Sequence, residues 1–258
     1  MDTQPTFFDF AAEVGLTKHI GGLEATQALV ELCHIGEGAH VLDVGCGVGV
    51  TPAWMAGKCR CRVVGVDISA RMVERSRERA RRNGLGDMVE FRQADAQDLP
   101  FDDGVFDAVI TESVTSFPKD KQRAVREYVR VTKPGGYVGL NESVWLKTPP
   151  PPDVVAWVSQ DIGASVQPLT ADAWVGLLQA AGLTDIIARS LRVNTQEEAR
   201  GILRRYGMGE FLRILGRMFS LYARSAAYRT FVKGIRASGV IPANLSEYFG
   251  YGLFVGRK

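Results

Sequence analysis

The 258-residue sequence carries little net charge of either sign. Its 31 lysines and arginines nearly balance 29 aspartates and glutamates, which leaves a formal net charge of +2 at pH 7. So small an excess provides no long-range attraction to a polyanion, and we expect no nucleic-acid partner. Hydrophobic residues make up 46% of the chain, which suits one large globular domain or one domain with a modest insertion.

Long apolar runs and cysteines are also scarce. No uncharged apolar run approaches the ~18–20 residues that cross a bilayer. Residues 1–5 lack the basic-then-apolar order of a signal peptide, so we expect a cytoplasmic protein without stable membrane insertion. Four cysteines, all in the first quarter, are Cys33, Cys46, Cys59 and Cys61. This distribution disfavours a disulfide framework, and we favour small buried thiols over metal ligands and expect no metal.

Short apolar runs alternate with longer helical patterns through residues 38–142. The predicted strands cover 39–44, 62–66, 89–93, 106–110 and 137–141, and the predicted helices cover 51–58, 72–83 and 122–132. This alternation predicts a doubly wound, mostly parallel sheet with helices on both faces. Because such sheets bind ligands at the carboxyl ends of their strands, the functional residues are expected there.

The flanking regions predict a cover for that edge. Residues 148–152, a threonine and four prolines, indicate a stiff extended spacer. Beyond the spacer we expect a helix over 172–181, a strand over 186–193, a basic helical block over 196–238 and a strand over 248–255. The expected organisation is an N-terminal helical lid over 1–37, a core over 38–195, a helical cap insertion over 196–247 and a final core strand over 248–258.

The first predicted strand runs directly into a glycine-rich loop. Gly45, Gly47 and Gly49 alternate with other residues between that strand and a helix. Glycine lets the backbone turn sharply, approach a ligand closely and point free amide groups at it. Asp43 lies at the end of the first strand. Asp67 ends the second, where a carboxylate can accept from both hydroxyls of a ribose.

Further motifs follow in order along the chain. Asp95 comes after the third strand, Phe-Asp-Ala-Val-Ile fills the fourth at 106–110, and Arg-Val-Thr-Lys-Pro-Gly-Gly at 130–136 leads through a turn into the fifth. With the glycine loop, these motifs resemble those of class I S-adenosylmethionine-dependent methyltransferases, in that family's order. The likeness is greatest to the small-molecule branch that includes ubiquinone/menaquinone, sterol and amine methyltransferases. It implies a Rossmann-like α/β fold: a doubly wound sheet of seven mostly parallel strands, a helical lid and a helical insertion near the C-terminus.

The resemblance implies S-adenosylmethionine as the cofactor. Asp67 would bind its ribose, and Asp95 with the Ala96 amide would bind its adenine. The methionine portion would lie on the glycine loop, with Asp43 near its ammonium group. The expected cofactor contacts are Gly22, Thr26, Asp43, Gly45, Cys46, Gly47, Gly49, Asp67, Ile68, Met72, Asp95, Ala96 and Glu112. A dinucleotide is disfavoured, since its fingerprint places the third glycine one position later and Asp43 would repel a pyrophosphate.

Three residues are candidates for catalysis. Glu112 and Glu142 lie at the functional ends of apolar strands, where either could bind a cationic acceptor or remove a proton. Their alternative role is to cap a helix or bond to loop amides. His19, in the lid segment, could act as a base near neutral pH or simply end a helix. In-line methyl transfer depends mainly on positioning and desolvation, so none of the three is obligatory.

The basic helical block also carries many aromatic residues. We favour a cap with arginines outside and aromatics inside over a face that touches a membrane. Inward-facing Tyr206, Phe211 or Tyr222, with Trp145, would form a wall for an acceptor. The Asn-Pro-Pro-Tyr and Pro-Cys motifs of DNA methyltransferases are absent after the fourth strand.

The sequence thus predicts an enzyme that moves a methyl group from S-adenosylmethionine to a small-molecule acceptor, releasing S-adenosylhomocysteine. An amine, a quinol, a sterol and a thiol are all open as acceptors, and a homodimer is open as the assembly. The alternatives are a regulator that binds the cofactor without methylating, and an RNA methyltransferase, which the small basic excess disfavours.

Overall fold

The computed structural model describes residues 7–161, 166–193, 195–237 and 241–258. Its helices are α1 (Phe7–Val14), α2 (Gly22–Leu32), α3 (Val50–Cys59), α4 (Ala70–Arg82), α5 (Lys121–Val131), α6 (Pro152–Asp161), α7 (Ala171–Ala180), α8 (Thr195–Arg224), α9 (Ala226–Ala237) and α10 (Leu245–Tyr248). Its strands are β1 (His40–Val44), β2 (Arg62–Asp67), β3 (Val89–Gln93), β4 (Phe106–Glu112), β5 (Thr132–Trp145), β6 (Leu169–Thr170), β7 (Thr184–Arg192) and β8 (Phe249–Arg257).

The strands form one mixed sheet in the order β3-β2-β1-β4-β5-β8-β7, with the two-residue β6 paired to β5. Strands β1 to β5 are parallel, and β8 runs antiparallel to both β5 and β7. The predicted doubly wound fold is therefore confirmed. Strand order reverses between β1 and β4, so their carboxyl ends open a crevice of the kind that binds ligands.

Both faces of the central strands are covered by helices. On β1, Val41 belongs to one hydrophobic cluster, and Leu42 and Val44 belong to the cluster on the opposite face. This is why these strands read as continuous apolar runs rather than alternating ones. Within the described ranges, no helix combines the length and apolarity needed to cross a bilayer.

Several elements differ from the sequence-based expectation. Helix α6 begins at Pro152, inside the predicted spacer, because proline suits the first turn of a helix. Strand β5 begins at Thr132 and continues through the predicted turn, where Gly135 keeps a φ of 79° and its amide donates to the Lys258 carbonyl. The helical block predicted over 196–238 consists of two helices, α8 and α9, with α8 kinked at Gly207, and residue 238 lies outside the described residues.

The segment predicted as a lid has two parts. Helix α1 packs against α8 and α4. Helix α2 also packs against α8, but it belongs at the same time to the helical layer on the sheet, where Leu29 and Cys33 pack against Gly139 of β5. Residues 1–6 lie outside the described part of the chain.

A buried carboxylate fastens α8 to the core. Glu210 is 7% exposed and contacts four arginines, two on α4 and two on α8: Arg79, Arg82, Arg213 and Arg217. Burial opposes ionisation of Glu210, but the hydrogen bond from Arg213 and the neighbouring positive charges hold its pKa below the usual value. The Arg79 guanidinium also lies over the Tyr206 ring, 5.3 Å from its centroid. We call this group, Glu210 with its four arginines and Tyr206, the cap latch.

Candidate active site

A cavity of about 380 Å³ lies between the carboxyl edge of the sheet and the helices that cover it. The glycine loop, the ends of β2 and β4 and the loop after β3 form its floor. Residues of α1, the stretch 15–20, the loop after β4 and α8 close it. The crevice predicted from the strand order is therefore the place where most candidate residues meet.

The glycine loop brings bare backbone against the cavity. Gly45 and Gly47 have φ values of 74° and 55°, in the left-handed region that glycine tolerates. A Cβ atom on Gly45 would collide with Val114, and one on Gly47 would collide with Thr17. Gly49 takes part differently: it starts α3 in a left-handed conformation and packs against Ser76, outside the cavity wall.

Two acids line the side of the cavity formed by β2 and β3. Asp67 accepts hydrogen bonds from the Gly47 and Ser69 amides, both at 2.9 Å, which fixes the carboxylate beside the loop. Burial raises the pKa of Asp67, although the two amide bonds favour its ionised form. Asp95 accepts from the Gln97 amide at 2.9 Å. Each carboxylate keeps lone pairs that can accept from a polar ligand.

The opposite side of the cavity holds a second acidic group. Asp43 is 3% exposed and Glu112 is 9% exposed, and both line the wall. Glu112 accepts hydrogen bonds from Thr26 Oγ1 at 2.9 Å and from Thr51 Oγ1 at 2.8 Å. Burial and the neighbouring Glu112 charge raise the pKa of Asp43 well above its usual value. A cation bound here would relieve that repulsion.

His19 lies within the same network. Its Nε2 is 3.3 Å from Glu112 Oε2 and 3.1 Å from Thr26 Oγ1, and the Asn141 amide nitrogen is 3.3 Å from Nδ1. The nearby Glu112 carboxylate can only accept, which favours a proton on Nε2, while Nδ1 lies between the Asn141 amide nitrogen and the Ile20 carbonyl oxygen, the latter at 3.2 Å. Burial outweighs the attraction of Glu112 and lowers the pKa of His19 from 6.5 to about 4. The ring is therefore neutral at physiological pH.

Arg205 reaches the cavity from α8. Its Nη2 donates to Thr51 Oγ1 at 3.2 Å, and Thr51 in turn donates to Glu112. Its Nη1 is buried and has no hydrogen-bond partner among the described residues. The expectation of arginines on the outside of the cap is therefore wrong for this residue.

Glu142 occupies a different position from Glu112. It is fully buried in β5, outside the cavity wall, and accepts hydrogen bonds from the backbone amides of Val114, Thr115 and Ser116. The Ser116 hydroxyl donates a fourth hydrogen bond at 2.8 Å. The geometry supports the alternative in which Glu142 bonds to loop amides.

Most of the predicted site residues line the cavity: His19, Asp43, Gly45, Cys46, Gly47, Asp67, Ile68, Met72, Asp95, Ala96 and Glu112. Gly22, Thr26, Gly49 and Glu142 do not. Thr26 acts through its hydrogen bonds to Glu112 and His19. Several polar residues that line the cavity were not predicted from the sequence: Thr17, Lys18, Thr51, Ser69, Gln97 and Arg205. Ser69 and Thr51 could have been found, because each lies two residues after a motif, at the start of a helix.

The aromatic wall comes from a different part of the chain than expected. Phe8 and Phe117 line the cavity and meet edge to face, with ring centroids 5.4 Å apart. Tyr222 is 43% exposed instead, and Trp145 packs against Phe249. Tyr206 is buried but donates to the Thr17 carbonyl.

Within the described residues no three His, Cys, Asp or Glu side chains are grouped to hold a metal.

Comparison with known proteins agrees with this geometry. Residues 42–140 match the family model described as a methyltransferase domain. The chain is similar to methyltransferase GfsG of Streptomyces halstedii, with 40% identity over 48% of this chain and 44% of that one. It is also similar to 27-O-demethylrifamycin SV methyltransferase of Amycolatopsis mediterranei, with 32% identity over 61% of this chain and 58% of that one.

A solved structure shows the same fold. Phosphoethanolamine N-methyltransferase 2 of Haemonchus contortus, solved with phosphomonomethylethanolamine and S-adenosylhomocysteine, superposes with a TM-score of 0.71 at 21% identity. The match covers 96% of this chain and 56% of that one. The chain thus spans less than two thirds of each of these three proteins.

Proposed function

This chain belongs to the class I S-adenosylmethionine-dependent methyltransferases, and we propose that it methylates a hydroxyl oxygen of a neutral small molecule. The observation that carries the proposal is the distribution of charge in the cavity wall. Its four acids, Asp43, Glu112, Asp67 and Asp95, all lie beside the glycine loop and the ends of β1 to β4. The other lining residues include Phe8, Val114, Phe117, Pro118 and the cations Lys18 and Arg205, and no further carboxylate among the described residues, which does not suit a cationic amine.

The residues beside the glycine loop fit the proposed cofactor. Asp67 is oriented by two backbone amides to accept from ribose hydroxyls, and Asp95 with Ala96 suits the adenine edge. Asp43 and Glu112 provide negative charge for an ammonium group. When bound, S-adenosylmethionine supplies an electrophilic methyl group on its sulfonium.

The chain's own contribution to the reaction is mainly positioning and exclusion of water. Phe8 and Phe117 hold an apolar acceptor and limit the access of solvent. Glu142 fixes the loop that carries Val114 and Phe117 by binding three of its amides. We assign His19 a positioning role toward Glu112, because both of its ring nitrogens are already engaged within the network.

The relatives name both kinds of acceptor. The Amycolatopsis mediterranei relative is named for an O-demethyl acceptor and supports the assignment to oxygen. The Haemonchus contortus protein, and an Arabidopsis thaliana relative that is 34% identical over 65% of this chain, are named for a nitrogen acceptor. Because one fold serves several chemistries, the acceptor atom has to be tested directly.

The test is a transfer assay with methyl-labelled cofactor and matched pairs of acceptors. Each pair has one carbon skeleton and differs only in a hydroxyl or an amino group, with thiols as a third set. We expect label in the methyl ether of at least one apolar hydroxylated acceptor and little in its amino counterpart. Transfer only to amines would overturn the assignment to oxygen. Cofactor binding without any transfer would favour the non-methylating regulator.

A further inference from the structure

Arg205 is a cavity residue that the proposed chemistry does not yet use. Its guanidinium is held on one side by Thr51, in the first turn of α3, and its Nη1 is buried without a partner among the described residues. A buried guanidinium nitrogen with no acceptor is destabilising unless a ligand completes its hydrogen bonds. Since Arg205 lines the cavity, that ligand has a place to bind.

The position of Arg205 indicates which ligand group that is. Asp67 and Asp95 define the adenosine end of the cavity, on the β2 and β3 side. Arg205 lies at the other end, where its charge acts on both Asp43 and His19. Two carboxylates and one guanidinium at that end complement an α-amino acid, which carries one ammonium and one carboxylate at neutral pH.

We infer that Arg205 binds the carboxylate of the cofactor's methionine end, so that the helical cap is part of the cofactor site. This inference rests on the proposed function, because it takes S-adenosylmethionine as the ligand. A planar guanidinium matches a carboxylate through two parallel hydrogen bonds. The start of α3 beside it adds the positive end of a helix dipole to the same position.

The cap latch gives this contact a structural basis. Tyr206, the next residue, is fixed by the Thr17 backbone and by Arg79. Gly207 then breaks the helix, and Glu210 anchors the next turn to α4. Arg205 therefore enters the cavity only when the cap is docked on the core, and binding of the carboxylate stabilises the docked cap.

The test measures binding rather than turnover. Calorimetry on the full chain compares S-adenosylmethionine with decarboxylated S-adenosylmethionine, which differs only in lacking the carboxylate, for the wild type and for Arg205→Met. We expect the substitution to weaken S-adenosylmethionine binding by ~10–100-fold, the range for a charged hydrogen-bonded contact. Binding of the decarboxylated ligand should change by less than about threefold, because the lost contact is absent from it.

Arg204→Met is the matched control. Arg204 precedes Arg205 in the same helix, but its exposed side chain pairs with Glu24 outside the cavity. The Arg204→Met substitution should leave the affinities for S-adenosylmethionine and for its decarboxylated form unchanged. Arg205→Lys should retain part of the preference for the ligand that carries the carboxylate. Equal weakening of both ligands by Arg205→Met would overturn the inference and indicate a merely structural arginine. Failure of the wild type to bind either ligand would instead refute the proposed function.

Discussion

The carboxyl edge of the sheet and the cover that α1, residues 15–20 and α8 form over it are held in place by different kinds of contact. At the edge, the functional groups lie within a few residues of strand ends, and backbone amides fix them, as with Asp67 at Gly47 and Ser69. In the cover, side chains far apart in sequence hold one another, as Glu210 holds Arg79 of α4. The places of the functional groups at the edge are therefore specified locally, whereas the cover is docked on the core by long-range contacts.

This difference has a consequence for function. Local specification makes the cofactor-binding edge rigid before any ligand arrives, which lowers the entropy lost on binding. The cover depends on ion pairs in which several of the arginines are partly exposed to solvent, and such pairs are individually weaker and open more easily. Such a division suits a site that must admit and release both cofactor and acceptor.

The largest effect is expected from removing the carboxylate that fixes the edge. Glu142→Ala leaves three loop amides and the Ser116 hydroxyl without their acceptor in a fully buried position. We expect the free energy of unfolding to fall by about 3–5 kcal/mol. Chemical denaturation measures it, and a loss below about 1 kcal/mol would show that the edge is not fixed in this way.

Acid should lower the free energy of unfolding, because His19, which connects residues 15–20 of the cover to Glu112 at the edge, is buried in its neutral form. Its pKa is 6.5 when unfolded and, mainly through burial, about 4 when folded, so the unfolded chain binds the proton first as pH falls. Stability should therefore be fully present above pH 6.5 and decrease from there toward pH 4, by roughly 3 kcal/mol. Denaturation of the wild type and His19→Gln across this range is the measurement. The free energies of unfolding of the two proteins should converge as the pH falls, and a difference that does not change with pH would contradict the lowered pKa of His19.

Cofactor affinity tests the edge directly. Asp67→Ala removes the expected ribose acceptor together with its two amide bonds, and we expect cofactor binding to weaken by about 1–3 kcal/mol. Calorimetry measures the change. Asp103→Ala is the control, since Asp103 is 79% exposed, pairs with Arg130 and lies outside the cavity. Unchanged affinity in the Asp67 variant would refute its role.

The smallest effect is expected in the cover. Glu210→Gln weakens the cap latch, but most of its arginines retain access to water, so we expect a loss of only about 1–2 kcal/mol. Hydrogen exchange should rise in α8 and remain unchanged in β1 and β4. An equal rise of hydrogen exchange in α8, β1 and β4 would show that edge and cover unfold together.

The contribution of Glu210 to stability should also depend on pH. Since the folded pKa of Glu210 is lowered, this contribution should be present at neutral pH and lost as pH falls through that pKa.

The sheet and its cofactor edge could be predicted because their signals are local. A buried strand followed by glycines and an acid identifies itself within about ten residues, and all three glycines have positive φ. The predicted β3 has the observed bounds, Val89–Gln93. The start of α6 at Pro152 was less predictable, since proline suits both an extended spacer and the first turn of a helix.

The roles of individual acids could not be read from the sequence. Glu112 and Glu142 both end apolar stretches, yet one faces the cavity and the other bonds to a loop. The choice depends on which neighbour donates to each carboxylate, and those donors come from distant segments, such as Thr26 and Thr51 for Glu112.

The sequence by itself determined the alternation of strands and helices, the glycine loop and the acids at its edge, because backbone geometry and hydrophobic pattern act over short distances. Only the tertiary structure decided that Arg205 enters the cavity while Arg204 stays outside, and that Phe8 and Phe117 form its aromatic wall. The position of Arg205 follows from how the cap docks on α4, through the contacts of Glu210 with residues more than one hundred positions away.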